Sequence, residues 1–451
     1  MDYSLYQYRH IARLTIEADS AIAVGTGGSD VFTDAPIARD VNRLPYIPAT
    51  SIAGVIRHAL HIKDGEESIF GHHDNKGGKG SQVIFTDAVM VGNNGKAIDG
   101  LTAIDWQDGF YSAYRQLPIR QHVRIDSNGT AENGGKFDNE VVYKGTRFVF
   151  ELEIYSCDNQ EEQFNKILST LYDDTLRFGG GTRAGYGKMR VVNSRTATLD
   201  LTDRNDLCDY IEKSSSLAVE WKRFAPTSSP SQSENNNWIR YSLKLKPVDF
   251  FLFGSGLGDD EADNTPMTEC VVKWNETIPT VVKEQVLIPA SAVKGALAHR
   301  TAYHYNRNNQ LFVENADIEG ECLKTKAATK SGNPAVAAIF GREEDGKMTL
   351  GNILISDVIK GKAHTKLLFH NRIDVFTGAT IDGALFQEKS VYGNGNEYTL
   401  DILVAKKAFH DDNYREAFEH SLQDVCDGLL PLGGTVNRGN GTFTGQWTKN
   451  E

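Results

Sequence analysis

Cysteine is scarce and scattered: Cys157, Cys208, Cys270, Cys322 and Cys426 are odd in number and never form a CxxC pair. That excludes a disulfide framework and a zinc knuckle, and points to reduced, structural thiols in a cytosolic protein. No apolar run reaches the roughly 18 residues that span a bilayer, so no membrane partner is expected. The opening MDYSLYQYRHIARLTIEAD lacks the apolar stretch of a secretory leader, so a cytoplasmic location is expected. A basic excess is missing too: 48 Lys and Arg stand against 60 Asp and Glu, a formal charge of -12. This does not veto a local basic track, because screening confines each charged patch to about 10 Å. A Walker motif, an HExxH helix and a Ser/His/Asp or Cys/His nucleophile arrangement are all absent.

What is present is a repeat. Ile47-Pro48-Ala49-Thr50-Ser51-Ile52-Ala53-Gly54 recurs as Ile288-Pro289-Ala290-Ser291-Ala292-Val293-Lys294-Gly295, with His58 and His299 in register beyond it. Phe70-Gly71 before VIFTDAV matches Phe340-Gly341 before ILISDVI, each run ending near an aspartate (Asp87, Asp357). His122-Val123-Arg124-Ile125-Asp126 matches His370-Asn371-Arg372-Ile373-Asp374, and FGGGTRAGYGKM from Phe178 matches LGGTVNRGNGTF from Leu432. Four motifs in one order, at offsets of about 240 to 270 residues, identify an internal duplication. The polar, Pro/Ser/Asn-rich run Pro226–Asn237 reads as a linker. The expected domains are therefore 1–200 and 238–451, joined by a connecting segment, 201–237, with a short helix near 205–222.

Each half opens on an alternating run (IARLTIEA; IRYSLKLKP), continues through a Gly/Asp-rich loop and a helix after IPA, and reaches a second strand. A long polar excursion, a third strand, an amphipathic helix, a Gly-rich loop and a last strand follow. The fold class expected is α+β, two tandem RRM-like or ferredoxin-like domains of split βαβ plan. Each excursion follows an RID triplet and is expected to project as a hairpin.

Four regions are candidates for chemistry. In LRFGGGTRAGYGKMR, Arg177, Arg183, Lys188 and Arg190 occur with no acid between them, among glycines that let a backbone approach a phosphate. The order helix–loop–strand is wrong for a dinucleotide fold or P-loop, and the plain alternative is a tight turn before a strand. The second copy, around Arg438, is far less basic. The helix after IPA carries Arg57, His58, His61 and Lys63, then Lys294, His299, Arg300 and His304: a solvated face, or a cationic rim. The first loop, VGTGGSDVFTDAPIARD, holds Asp30, Asp34 and Asp40, which are turn formers or carboxylates placed for a metal or a 2′-hydroxyl. Without gaps Asp34 pairs with Asp263; a gapped alternative pairs Thr33-Asp34 with Thr268-Glu269. His72-His73-Asp74 is a weak metal candidate, since adjacent side chains rarely converge on one ion.

DAPIARDVNRLPYIPATSIAGVIR, HNRIDVFTGATIDGALF and RFGGGTRAGYGKM together resemble the RAMP superfamily of CRISPR effector proteins, specifically type III backbone subunits. A fusion of two such units resembles the type III-D branch. The resemblance implies two RAMP domains, each with a projecting thumb hairpin (after Asp126 and after Asp374) and a Gly-rich loop. It implies a prokaryotic, cytoplasmic ribonucleoprotein in which the chain binds a CRISPR guide RNA and contacts complementary target RNA. Other type III subunits, including a large signalling subunit, would be its partners. The target would be cut at thumb-induced kinks with Mg²⁺ or another divalent cation, at Asp34, which would also hold the metal, and at Asp263. The cations expected on RNA are Arg57, Arg124, Arg177, Arg183, Lys188, Lys294, Arg300, Arg372 and Arg438. Both copies have IPA where IPG is commoner, and Glu269 falls near the place of Arg39, which leaves the second site open. Competing readings are a non-catalytic guide-binding scaffold, a guide-processing endoribonuclease, and a tandem RRM protein, which the lack of an RNP1-like strand disfavours.

Overall fold

The run YRHIARLTIEA forms strand β1 (Tyr8–Ala18) of the first half in the computed structural model. The structure describes residues 6–31, 33–62, 69–74, 77–125, 131–227, 237–311, 332–344, 347–393 and 395–450. Helix α1 (Ala49–Ala59) follows the IPA turn, then β2 (Val83–Phe85) and a short helix α2 (Gly109–Arg115). Next come the hairpin β3 (Ile119–Ile125) with β4 (Ala131–Glu140), strand β5 (Arg147–Ser156), helix α3 (Glu161–Leu171), β6 (Met189–Asp200) and α4 (Arg204–Ile211). The antiparallel sheet order is β6-β1-β5-β2, that of the split βαβ plan.

The second half repeats it. Strand β7 (Trp238–Pro247) is followed by the hairpin β8 (Thr268–Asn275) with β9 (Ile278–Ile288), helix α5 (Ala290–Asn308) and β10 (Ile353–Ile355). The projecting hairpin β11 (Thr365–His370) with β12 (Phe386–Tyr392), strand β13 (Tyr398–Ala405), helix α6 (Asp412–Cys426) and β14 (Phe443–Asn450) complete it. The sheet order is β14-β7-β13-β10, the same permutation.

Burial separates the two sheets. In β7, Ile239, Tyr241, Leu243 and Leu245 point into the core while Arg240, Ser242 and Lys244 alternate outward, as a half-buried strand should. Strand β1 is covered on both faces. Leu14 and Ile16 pack with Ile52, Ile56 and Phe164 of α1 and α3, whereas Ile11 on the reverse face packs with Leu199 and Trp221. The reverse face is closed by residues 204–224: Arg13 is buried there, paired with Glu151 and donating to the carbonyls of Leu217 and Val219. The segment read as a connector thus folds onto the first sheet, and most of the polar run after Pro226 lies outside the described residues.

The hairpins also differ from expectation. The RID triplets do not precede them; Arg124 and Ile125 belong to the ascending arm, with His122 opposite Phe137, and in the second copy His370 lies opposite Phe386. Alternation in IRQHVRI is already that of a strand. Asp374 caps the second copy's turn by accepting from Phe376 and Thr377 amides. Among the described residues no helix is long and apolar enough to cross a membrane.

Candidate RNA-facing site

Asp34 is exposed and clamped to the base of the β3–β4 hairpin. Its amide donates to Asp138 Oδ1 (2.9 Å), and its Oδ2 accepts from the Asp138 amide (3.1 Å). Thr33 Oγ1 also donates to Asp138 Oδ1, at 2.8 Å. The bond from the Asp34 amide is the main reason the Asp138 carboxyl is held below the usual range, so Asp138 stays ionised and fixes the loop. Asp34 retains Oδ1, to which no hydrogen bond is formed among the described residues. It faces a cavity of about 460 Å³, lined also by Gly27, Gly28, Asn139, Gly180 and Tyr186. The fold thus brings the aspartate loop and the Gly-rich loop, some 145 residues apart, to one opening.

The glycines of that loop serve packing first. Gly179 has φ +85°, and a Cβ there would lie 2.5 Å from the Ala23 carbonyl oxygen; Gly433 meets Leu252 in the same way. Gly180 and Gly434 amides donate to those carbonyls at 2.7 Å, so the loop lies flush against the segment that leads to the aspartate. Tyr186 is buried and joined to His122 by a 2.8 Å hydrogen bond. Burial raises the phenol; burial, then the nearby Arg120 charge, lowers the imidazole, so both are neutral near pH 7.

In the second copy Asp263 occupies the position of Asp34. Its amide donates to the Gln387 carbonyl (3.0 Å) and its Oδ2 accepts from the Gln387 amide (2.8 Å), with Gln387 following Phe386 as Asp138 follows Phe137. The surroundings differ. Asn440 replaces Tyr186 and donates to Glu388, a carboxylate 1% exposed that also bonds Ser390 and lies 3.6 Å from Arg438.

Glu269, the alternative counterpart, is committed elsewhere. Arg120, at the base of β3, is 2% exposed and donates to Glu269 and to Asp357 (2.5 Å), while its guanidinium lies over the Tyr186 ring. Burial alone would lower its pKa; Asp357 and Glu269 outweigh that and hold it well above the usual value. Asp357 also caps α5 by accepting from Ala290, as Asp87 caps α1 by accepting from Ala49. This triad joins the halves, and no local pattern in the sequence announces it.

The expected cations divide. Arg124, Arg372 and Arg438 are exposed, the first two towards the far ends of the hairpins. Lys188 pairs with Asp19 (3.1 Å), far from the Gly-rich window in sequence, and with Asp174 (3.0 Å), just ahead of it. Arg177 is half-buried, donates to the Asp174 and Leu176 carbonyls, and is lowered by burial to about 10; burial lowers Arg183 as well. Arg300 pairs with Asp424, which it shares with His304, and so ties α5 to α6. Arg57 and Lys294 do not correspond: Arg57 is in the last turn of α1, opposite Ala298, and Lys294 lies opposite Ala53. Helix α1 ends at Ala59, before His61, and Lys63 lies outside the described residues.

The sequence matches the family described as the RAMP superfamily twice, over residues 15–190 and 271–444. It is also similar to a protein of Methanocaldococcus jannaschii named CRISPR system Cms endoribonuclease Csm3. The two are 31% identical over 183 residues, which cover 35% of this chain and 67% of that protein.

Proposed function

Since the chain belongs to the RAMP superfamily and carries its domain twice, we propose that it is a backbone subunit of a type III CRISPR ribonucleoprotein that binds guide RNA and cuts complementary target RNA. The observation that carries this reading is the repeated clamp: Asp34 on Asp138 and Asp263 on Gln387, each holding its loop to the returning strand of a projecting hairpin. The similarity to a protein named a CRISPR endoribonuclease supports it. The guide RNA, the target RNA and neighbouring type III subunits, among them a large signalling subunit, are the proposed partners.

The residues around Asp34 fit a divalent ion carried mainly by the substrate. No group of three His, Cys, Asp or Glu side chains among the described residues forms a protein cage. Mg²⁺ is commonly held by one or two carboxylates with substrate phosphates and water, and the exposed Asp34 matches that donor set. Bound there, the ion would stabilise charge developing on a phosphodiester. Asp34 would hold it or orient the attacking 2′-hydroxyl, while Asp138 keeps the loop rigid. Each hairpin would force a nucleotide out of the stack, and base pairing with the guide would supply sequence specificity.

The test is cleavage of end-labelled complementary RNA by the guide-loaded complex with Mg²⁺, comparing wild type, Asp34→Ala and Asp263→Ala. Each substitution should erase one product band and leave guide binding intact. Unchanged bands in both variants would mean that neither aspartate takes part in cutting and would favour a scaffold role for this chain. Loss for Asp34→Ala alone would confine cutting to the first half.

A further inference from the structure

A second cavity, of about 520 Å³, opens near the aspartate loop and is lined by Arg39, Arg43, Trp106, Arg115 and Gln116. Its construction is specific. Arg39 donates from Nη2 to Glu140 (2.6 Å) and from Nη1 to the backbone carbonyls of Arg43 (3.1 Å) and Tyr114 (3.0 Å). One guanidinium therefore ties the turn carrying Arg43 to the end of α2 carrying Arg115, while Glu140 neutralises its charge. Asn42, 7% exposed, makes a further tie through the Gly100 carbonyl and the Thr102 amide. Arg43 itself has φ +64°, a conformation that costs a non-glycine residue of order 1 kcal/mol and that concentrates at functional sites.

The result is two exposed arginines, 72 residues apart in sequence, held at one opening beside an indole. Among the described residues neither Arg43 nor Arg115 has an ion-pair partner. Like charges are not gathered this way to hold a fold together, and the apolar cluster beneath needs only the buried side of Trp106. The hairpin strand β4 links this opening to the first cavity, since Asn139 lines one and Glu140 anchors the other.

We propose that Arg43, Arg115 and Trp106 form a subsite for one nucleotide of single-stranded RNA. The guanidinium groups bind its phosphodiester and the base stacks on the indole. The volume suits one nucleotide, and an anion with an aromatic face matches the lining better than a carboxylate side chain, which would leave Trp106 without a role. This rests on the reading that the chain binds RNA; it does not depend on cleavage. The subsite belongs to the first copy alone. In the Asp34–Asp263 register, Thr268 and Val272 stand for Arg39 and Arg43, and Val272 is buried against the first half. The segment bearing Trp106 and α2 has no counterpart, because the second copy runs from Val358–Lys362 to β11 through two residues.

The probe is a fluorescein-labelled, unstructured ten-nucleotide RNA titrated onto the full chain by anisotropy between 50 and 300 mM salt. Arg43→Ala with Arg115→Ala should weaken binding about ten-fold or more and flatten the slope of log K against log salt by about 0.7, one phosphate. Trp106→Ala should weaken binding about 5- to 100-fold with the slope unchanged. Arg43→Lys should keep the slope, and unchanged thermal melting of each variant excludes unfolding. Affinity and slope equal to wild type in the double variant overturn the subsite. Unchanged RNA binding with weakened assembly into the ribonucleoprotein also overturns it and assigns the arginines to an acidic protein neighbour. Cleavage by Asp34 is scored separately, so either reading can fail alone.

Discussion

Replacing Arg120 by alanine is the sharpest test of how the halves are joined. Its guanidinium, 2% exposed, is shared between Glu269 and Asp357, both equally hidden. Removing it leaves two buried carboxylates facing each other, and only Asp357 keeps a strong donor, the Ala290 amide at 2.8 Å. Breaking a buried pair in this way costs about 3–5 kcal/mol, mostly the desolvation of the stranded charge. That is a large part of a total stability of about 5–15 kcal/mol. At roughly 2–4 °C per kcal/mol for a unit of this size, the melting midpoint should fall by about 6–20 °C. The loss falls at the junction, so calorimetry should show the second half melting apart from the first. Arg120→Lys should lie between, because an ammonium cannot bridge two acids in the fixed geometry of a guanidinium. Arg195→Ala is the control: it removes an ion pair whose partner, Glu220, is 72% exposed, and should cost less than about 1 kcal/mol. An Arg120→Ala midpoint within a degree or two of the Arg195→Ala control would refute a buried triad at the junction.

Two further predictions address the same architecture. Gly145 has φ +88°, and a Cβ there would fall 1.9 Å from the Val272 carbonyl oxygen, so Gly145→Ala should lose about 2–4 kcal/mol in urea denaturation; a loss under about 0.5 kcal/mol would mean the halves do not touch there. Acidification should destabilise the fold in two steps. Burial holds His10, His122 and His304 below their ordinary 6.5, so below pH 6.5 the unfolded chain binds more protons and the urea midpoint should fall from about pH 7 to 5. Asp19, Asp174 and Asp424 are held below 3.8 because their cationic partners outweigh burial, so their contribution persists above that pH and is lost as pH falls through the folded values. A midpoint that rises on going from pH 7 to 5 would contradict the first step.

The fold was legible because duplication wrote it twice. A single Gly-rich loop is a weak signal, but two at the ends of matched motif series fixed the element order, and the strand order followed. The aspartate was legible for the same reason, since Asp34 and Asp263 keep one register with their loops. The partners of the basic residues were not. A count over LRFGGGTRAGYGKMR finds no acid, yet Asp19 and Asp174 reach Lys188 and Glu17 reaches Arg190 through strand pairing and loop closure. Arg120 lies 149 residues from Glu269 and 237 from Asp357, and nothing short-range marks such a triad. Segments without a counterpart, including the one carrying Trp106 and α2, offered no repeat to read against.

Those unmatched segments show what divergence of the copies achieved. The second copy carries 12 more residues than the first between its aspartate and its IPA turn, and they lengthen the region into the β8–β9 hairpin. The first copy inserts the segment with α2. The two meet: Trp274 of β8 lies against Phe110 of α2, donates to the Gly145 carbonyl at 2.7 Å and carries the Arg147 guanidinium 4.3 Å above its ring. Val272 joins the first half's own core and donates its amide to Lys144 at 2.9 Å. An edge that is polar and arginine-bearing in the first copy is apolar and covered in the second. A tether alone would raise the local concentration of one unit near the other without fixing an angle. Here a packed junction with a buried charge triad fixes the angle. The spacing of Asp34 and Asp263 along any bound strand is therefore set by the junction, and the linker needs only to be long enough not to oppose it.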